Sequence, residues 1–128
     1  MNTWEQRRPP TFRGSGIVTC DGVAIENALV VFDSMEHRLT AVGRTDEQGG
    51  FVLKTFRPDD GAASGKHKVR ITKIEATGYD SLGHEVGHVN RLPERYADES
   101  GGLLATVEPK HGNVFRFELT SDSKTVKE

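Results

Sequence analysis

The feature that most limits what this chain can fold into is the shortness of its apolar runs. The longest is Ala28-Leu29-Val30-Val31-Phe32, far below the roughly 20 residues that span a bilayer as a helix or the 7–15 of an export signal's apolar region. Such runs suit strands. β-Branched and aromatic segments recur between turn residues at intervals of roughly 8–15 residues, the pattern of a β-sandwich. Seven strands are expected, over 12–19, 28–34, 41–45, 51–56, 67–75, 103–108 and 114–120. In the last, Phe115, Phe117 and Leu119 alternate with Val114, Arg116 and Glu118, so period two sends the aromatics to a buried face and the charges to water. Val69 and Ile71 oppose Lys68, Arg70 and Thr72 in the same way. The expected core is Val30, Phe32, Phe51, Leu53, Val69, Ile71, Leu103, Val107, Phe115, Phe117 and Leu119.

Turn residues supply the joints, because glycine takes positive φ where other residues meet a steric cost. Asp21-Gly22 joins the first strand to the next segment, Asp46-Glu47-Gln48-Gly49-Gly50 closes a hairpin, and Asp59-Asp60-Gly61 lies in a loop before the fifth strand. At 128 residues the chain fits one domain with one core. Residues 1–11, with Arg7-Arg8-Pro9-Pro10, and residues 121–128, polar except Val126, read as flexible tails around a domain over 12–120. The 34% hydrophobic content rises with 14 glycines toward the globular range, which excludes a disordered chain. A net charge of -2 supplies no global field toward nucleic acid or anionic lipid. The lone Cys20 forms no internal disulfide and no Cys-x-x-Cys site.

Three segments resemble the bacterial transthyretin-like, or carboxypeptidase-regulatory-like, family. Gly16-Ile17-Val18-Thr19-Cys20-Asp21-Gly22 followed by 28–32 is similar to its opening hairpin, and Thr45-Asp46-Glu47-Gln48-Gly49-Gly50-Phe51 to its Thr-Asp-x-x-Gly-x-Phe signature. Leu92-Pro93-Glu94-Arg95-Tyr96-Ala97-Asp98, then Ser100-Gly101-Gly102-Leu103, looks like a subgroup of small bacterial lipoproteins. The resemblance implies a seven-stranded Greek-key β-sandwich acting as a non-catalytic structural or binding module of the cell envelope, periplasmic or on the surface. Its partner would be an unknown protein or surface ligand, with no nucleic acid. Asp46, Gly49, Phe51 and Tyr96 would be structural, the Tyr96 hydroxyl bonding back to the connecting backbone as in the corner of Greek-key sandwiches. The chain as given departs from the subgroup in lacking a signal peptide and a lipidated N-terminal cysteine.

His84-Glu85-Val86-Gly87-His88 matches H-E-x-x-H, in which two histidines one helical turn apart bind zinc and the glutamate acts as base on a water. Tyr79, Leu82, Val86, Val89 and Leu92 even recur at helical spacing. A small zinc-dependent hydrolase is therefore the alternative reading, with His84 and His88 as ligands, Glu85 as base and Glu94 as a third ligand by residue type. Against it stand Gly78, Gly83 and Gly87, each costing a helix interior about 1 kcal/mol, and Arg91 and Pro93 where zincins continue with glycine and a third histidine. The expectation is an exposed, irregular connecting loop over 76–93, no catalytic residue and no cofactor.

Other constellations are weaker. Neither Tyr79 nor Tyr96 lies in the Tyr-Arg-Gly-Ser ending that 5-hydroxyisourate hydrolases carry on this kind of fold, and the chain is short for an intradiol dioxygenase. Asp46, Asp59 and Asp60 suggest calcium, but no calcium-loop pattern surrounds them, and turn formation accounts for each. Lys66, His67, Lys68, Arg70 and Lys73 form a basic stretch expected to be a solvated sheet face, with an anionic-ligand surface as the sharper reading.

Overall fold

The computed structural model describes residues 9–97 and 102–121. The chain is an all-β sandwich. Its elements are β1 (Thr11–Phe12), β2 (Gly14–Cys20), β3 (Val23–Ala24), β4 (Leu29–Ser34), β5 (Thr40–Arg44), β6 (Gly50–Val52), β7 (Ala62–Ala63), β8 (Gly65–Thr72), β9 (Ile74–Tyr79), β10 (Glu85–Asn90), a 3-10 turn (Glu94–Tyr96), β11 (Leu104–Val107) and β12 (Asn113–Leu119). One sheet runs β11-β8-β4-β5, antiparallel throughout. In the other, β2 is central: β12 lies parallel along one side, while β6 and then β3 pair antiparallel on the other.

Alternation builds the space between the sheets. Val30 and Phe32 of β4, Val69 and Ile71 of β8, Val18 of β2, and Phe117 and Leu119 of β12 are all buried. Phe32 stands at the junction, its ring 5.0 Å from Phe115 and 6.0 Å from Phe117, both edge-on, and 6.4 Å from Phe51. Of the expected core, Leu103 and Phe115 are only partly buried, packed against the core from outside it. Ala28, Ala41, Ala62, Ala63, Leu92 and Tyr96 join the core, although a reading based on large β-formers passed over them.

Within the β2 sheet, neighbouring strands close over a small residue. A Cβ on Gly16 would lie 2.5 Å from the Phe115 carbonyl oxygen and 2.6 Å from the Phe51 ring, so only glycine lets β2 pass there. Asp21 (φ 54) and Gly22 (φ 82) form the two-residue β2–β3 hairpin, with both central residues left-handed as a type I′ turn requires.

Each of the seven expected strands appears, but with differences: the one expected over 51–56 ends at Val52. The strand expected over 67–75 ends at Thr72, and the stretch expected to be an irregular loop is the regular hairpin β9–β10. Thr11, placed in the expected tail, pairs with Ala63 instead. The remainder of the two tails, 1–8 and 122–128, and residues 98–101 lie outside the described residues.

Candidate functional site: the hairpin carrying His84, Glu85 and His88

The H-E-x-x-H segment sits on a strand. β9 and β10 are joined by Asp80-Ser81-Leu82-Gly83, in which Gly83 N–H donates to Asp80 C=O (3.0 Å) and Asp80 N–H to His84 C=O (2.9 Å). Asp80 Oδ1 also accepts from the N–H groups of Leu82 and His84, each at 2.9 Å, and Gly83 holds φ +85. This is a three-residue loop with its left-handed residue last, which fixes the register of the two strands. Tyr79 then faces Glu85, Gly78 faces Val86, and Ala76 faces His88.

The side chains of the motif do not converge on one point. His84 Nδ1 lies 3.4 Å from Asp80 Oδ2, whereas His88 Nε2 lies 3.1 Å from Glu85 Oε1. The second contact exists because Gly87 has φ +70: the left-handed residue breaks the strict alternation that would send positions 85 and 88 to opposite faces. A side chain at Gly87 would drive its Cβ to 2.4 Å from Thr77 Oγ1. Glu94, the third ligand by residue type, accepts from Asn90 Nδ2 at 3.4 Å instead. Among the described residues no three His, Cys, Asp or Glu side chains are grouped as a metal site. The arrangement amounts to two exposed histidine–carboxylate pairs on an extended arm. It lacks the pair of imidazoles one helical turn apart that the hydrolase reading requires.

The base of the arm is fastened. Arg91 N–H donates to Lys73 C=O at 2.7 Å, and Asn90 Oδ1 accepts from the N–H groups of Lys73 and Leu92. The Arg91 guanidinium, bonded to Glu75 at 2.9 Å, holds that carboxyl below its usual range, with Lys73 adding to the effect. Beyond the base, Ile74, Tyr79, Leu82 and Val86 are exposed at 51%, 66%, 78% and 45%. The regular hairpin that carries these side chains is what the sequence reading missed. The signal was available: Asp80-Ser81-Leu82-Gly83 has the Asp-x-x-Gly spacing of Asp46-Glu47-Gln48-Gly49, whose Asp46 likewise takes Gln48 and Gly50 N–H on one oxygen.

The other singled-out residues have local roles. Asp46 and Gly49 (φ +79) make the corner by which the chain leaves one sheet and enters the other, and Phe51 is core. Asp60 caps its loop by accepting from Thr55, Phe56 and Arg57 N–H. Tyr96 bonds to the end of β12 and not to the connecting backbone: its hydroxyl accepts from Thr120 N–H at 3.1 Å and from Arg95 Nη2 at 3.2 Å. Burial opposes ionisation of that phenol, but the bonds from Thr120 and Arg95 prevail and lower its pKa. Burial, with Asp21 adding to it, pushes the half-buried Cys20 thiol up, against the pull of Arg95.

The basic stretch divides by parity. Lys66, Lys68 and Arg70 face outward, whereas His67 is core, packed 5.5 Å from the Phe32 ring. Its Nε2 lies 2.8 Å from the Ala63 carbonyl oxygen, an acceptor only, so Nε2 carries the hydrogen.

No family model matches the chain, and no curated protein does. Among solved structures it is similar to a DUF3823 family protein from Parabacteroides merdae, at 17% identity and a TM-score of 0.43, over 88% of this chain and 47% of that one. It is similar also to a 9R-lipoxygenase from Cyanothece, at 18% identity and a TM-score of 0.42, over 86% of this chain and 16% of that one. The chain thus spans less than half the length of either structure.

Proposed function

We infer that this chain is a non-catalytic binding or structural module of the bacterial cell envelope, of transthyretin-like type, and that the β9–β10 arm is its contact element. The observation that carries the reading is the arm itself: a hairpin fixed at its base by Lys73, Asn90 and Arg91 presents Tyr79, Leu82 and Val86 to solvent. A two-stranded hairpin is marginal alone, and exposed apolar side chains rimmed by polar ones suit a protein partner. The placement in the envelope draws on the three resembling segments, at 16–32, 45–51 and 92–103.

The test is a pull-down from envelope extracts with the whole chain and with Leu82→Ser, followed by an assay for peptide hydrolysis. A partner retained by the parent and lost with Leu82→Ser is the expected result. Hydrolysis that a chelator abolishes, zinc restores and Glu85→Gln lacks would overturn the reading, since a general base contributes orders of magnitude in rate.

A further inference from the structure

A second feature lies at the seam where β5 of one sheet approaches β6 of the other. Val42 and Lys54 exchange both backbone hydrogen bonds there, each at 2.9 Å, and join the sheets at this corner. Gly43 makes the approach possible, because a Cβ on it would lie 2.8 Å from the Val52 carbonyl oxygen. The seam opens outward as a groove of about 510 Å³, within the usual range for small-molecule sites. Its floor is apolar. Leu29 and Val42 come from the outer face of β4 and β5, Val52, half exposed, from β6, and Pro58 from the following loop. That loop is a fixed wall, since Asp60 accepts from three successive N–H groups and Thr55 Oγ1 donates to Gly61 C=O at 2.7 Å. A preformed wall lowers the entropy cost of binding.

Two cations flank the floor. Arg44 gives Nη1 to the neutral amide oxygen of Asn27 at 3.1 Å, and the Lys54 ammonium has no carboxylate partner among the described residues. One carboxylate, Asp59, also lines the groove. Lys66, Lys68 and Arg70 stand on the same outer sheet face, where Asp33 is paired with Arg70 at 2.9 Å and the Glu36 carboxylate lies against Gly65. We propose that the β5–β6 groove binds a small organic anion with an apolar body, such as a medium-chain carboxylate. The body lies on Leu29, Val42 and Val52, and the head group sits between Arg44 and Lys54. This goes beyond the role given to the arm and does not depend on it.

The experiment is an amide NMR titration of the whole chain with octanoate, and in parallel with octanol and octylammonium. Octanoate should shift the amides of Leu29, Val42, Gly43, Val52 and Lys54 saturably, with half-saturation on the order of 1 mM for a ligand of this size. Octanol should bind more weakly and octylammonium not at all. Lys54→Gln and Arg44→Gln, both at exposed side chains, should each weaken octanoate roughly three- to tenfold. Equal binding of octanol, shifts centred on Ile17 and Val114 of the opposite sheet face, or a concentration-dependent dimer moving the groove amides without ligand would overturn the proposal. Loss of the pull-down partner with Leu82→Ser leaves these shifts unchanged, so the two readings fail separately.

Discussion

Phe32 shows how much of this fold rests on single side chains. It is fully buried and meets four rings, those of Phe51, Phe115, Phe117 and His67. Phe32→Ala should cost about 3–5 kcal/mol through lost burial and a cavity. Thermal unfolding should fall by more than about 10 °C, and a shift of a degree or two would mean that the ring does not face the core. Asp21 gives the pH dependence. The Ser121 hydroxyl and then its N–H (3.2 Å) hold the Asp21 carboxyl below the ordinary 3.8. A depressed carboxyl adds stability that is present above the unfolded value and lost as pH falls through the lower folded value. In an NMR titration Asp21 should therefore have its midpoint below 3.8, and Ser121→Ala should raise it; an unchanged midpoint would remove the bond from the account. Parity made most core residues legible, and it also placed His67 in phase with Val69 and Ile71. The residue was read as part of a basic stretch because its type outweighed its position.

At the scale of elements, two nearly identical turns were read differently. Asp46-Glu47-Gln48-Gly49 stands between β-branched runs and is legible as a turn, though as a hairpin and not as the corner between sheets that it makes, whereas Asp80-Ser81-Leu82-Gly83 is obscured by the helical spacing of Tyr79, Leu82 and Val86 and by the H-E-x-x-H motif beside it. In the folded chain that spacing puts apolar side chains on an exposed hairpin. The short pieces β1, β3 and β7 were not legible, since two-residue strands have no periodicity and are set by tertiary contacts such as Thr11 with Ala63. The hairpin is fastened mainly at its base, where Arg91 N–H meets Lys73 C=O at 2.7 Å. Replacing residues 74–90 with an Asn-Gly turn should leave the sandwich folded, with a midpoint within about 5 °C of the parent by circular dichroism. Loss of cooperative unfolding would show that the hairpin belongs to the core.

For the whole molecule, the decisive contact is the parallel pairing of β12 with β2, from Asn113 beside Gly14 to Leu119 beside Cys20. Pairing the ends of the domain incurs a large loop-closure entropy before any packing offsets it, so refolding should take milliseconds to seconds and not microseconds. Stopped-flow fluorescence of the refolding chain measures this, and a microsecond phase carrying the full amplitude would contradict the topology. The β-sandwich carries His84, Glu85 and His88 on an extended arm and not on a zinc-binding helix. The backbone nuclear Overhauser pattern over residues 74–90 tests it most directly. Extended-chain shifts are expected, with cross-strand contacts between Gly78 and Val86 and between Ala76 and His88; helical shifts with contacts three residues apart through 84–88 would overturn the extended arm.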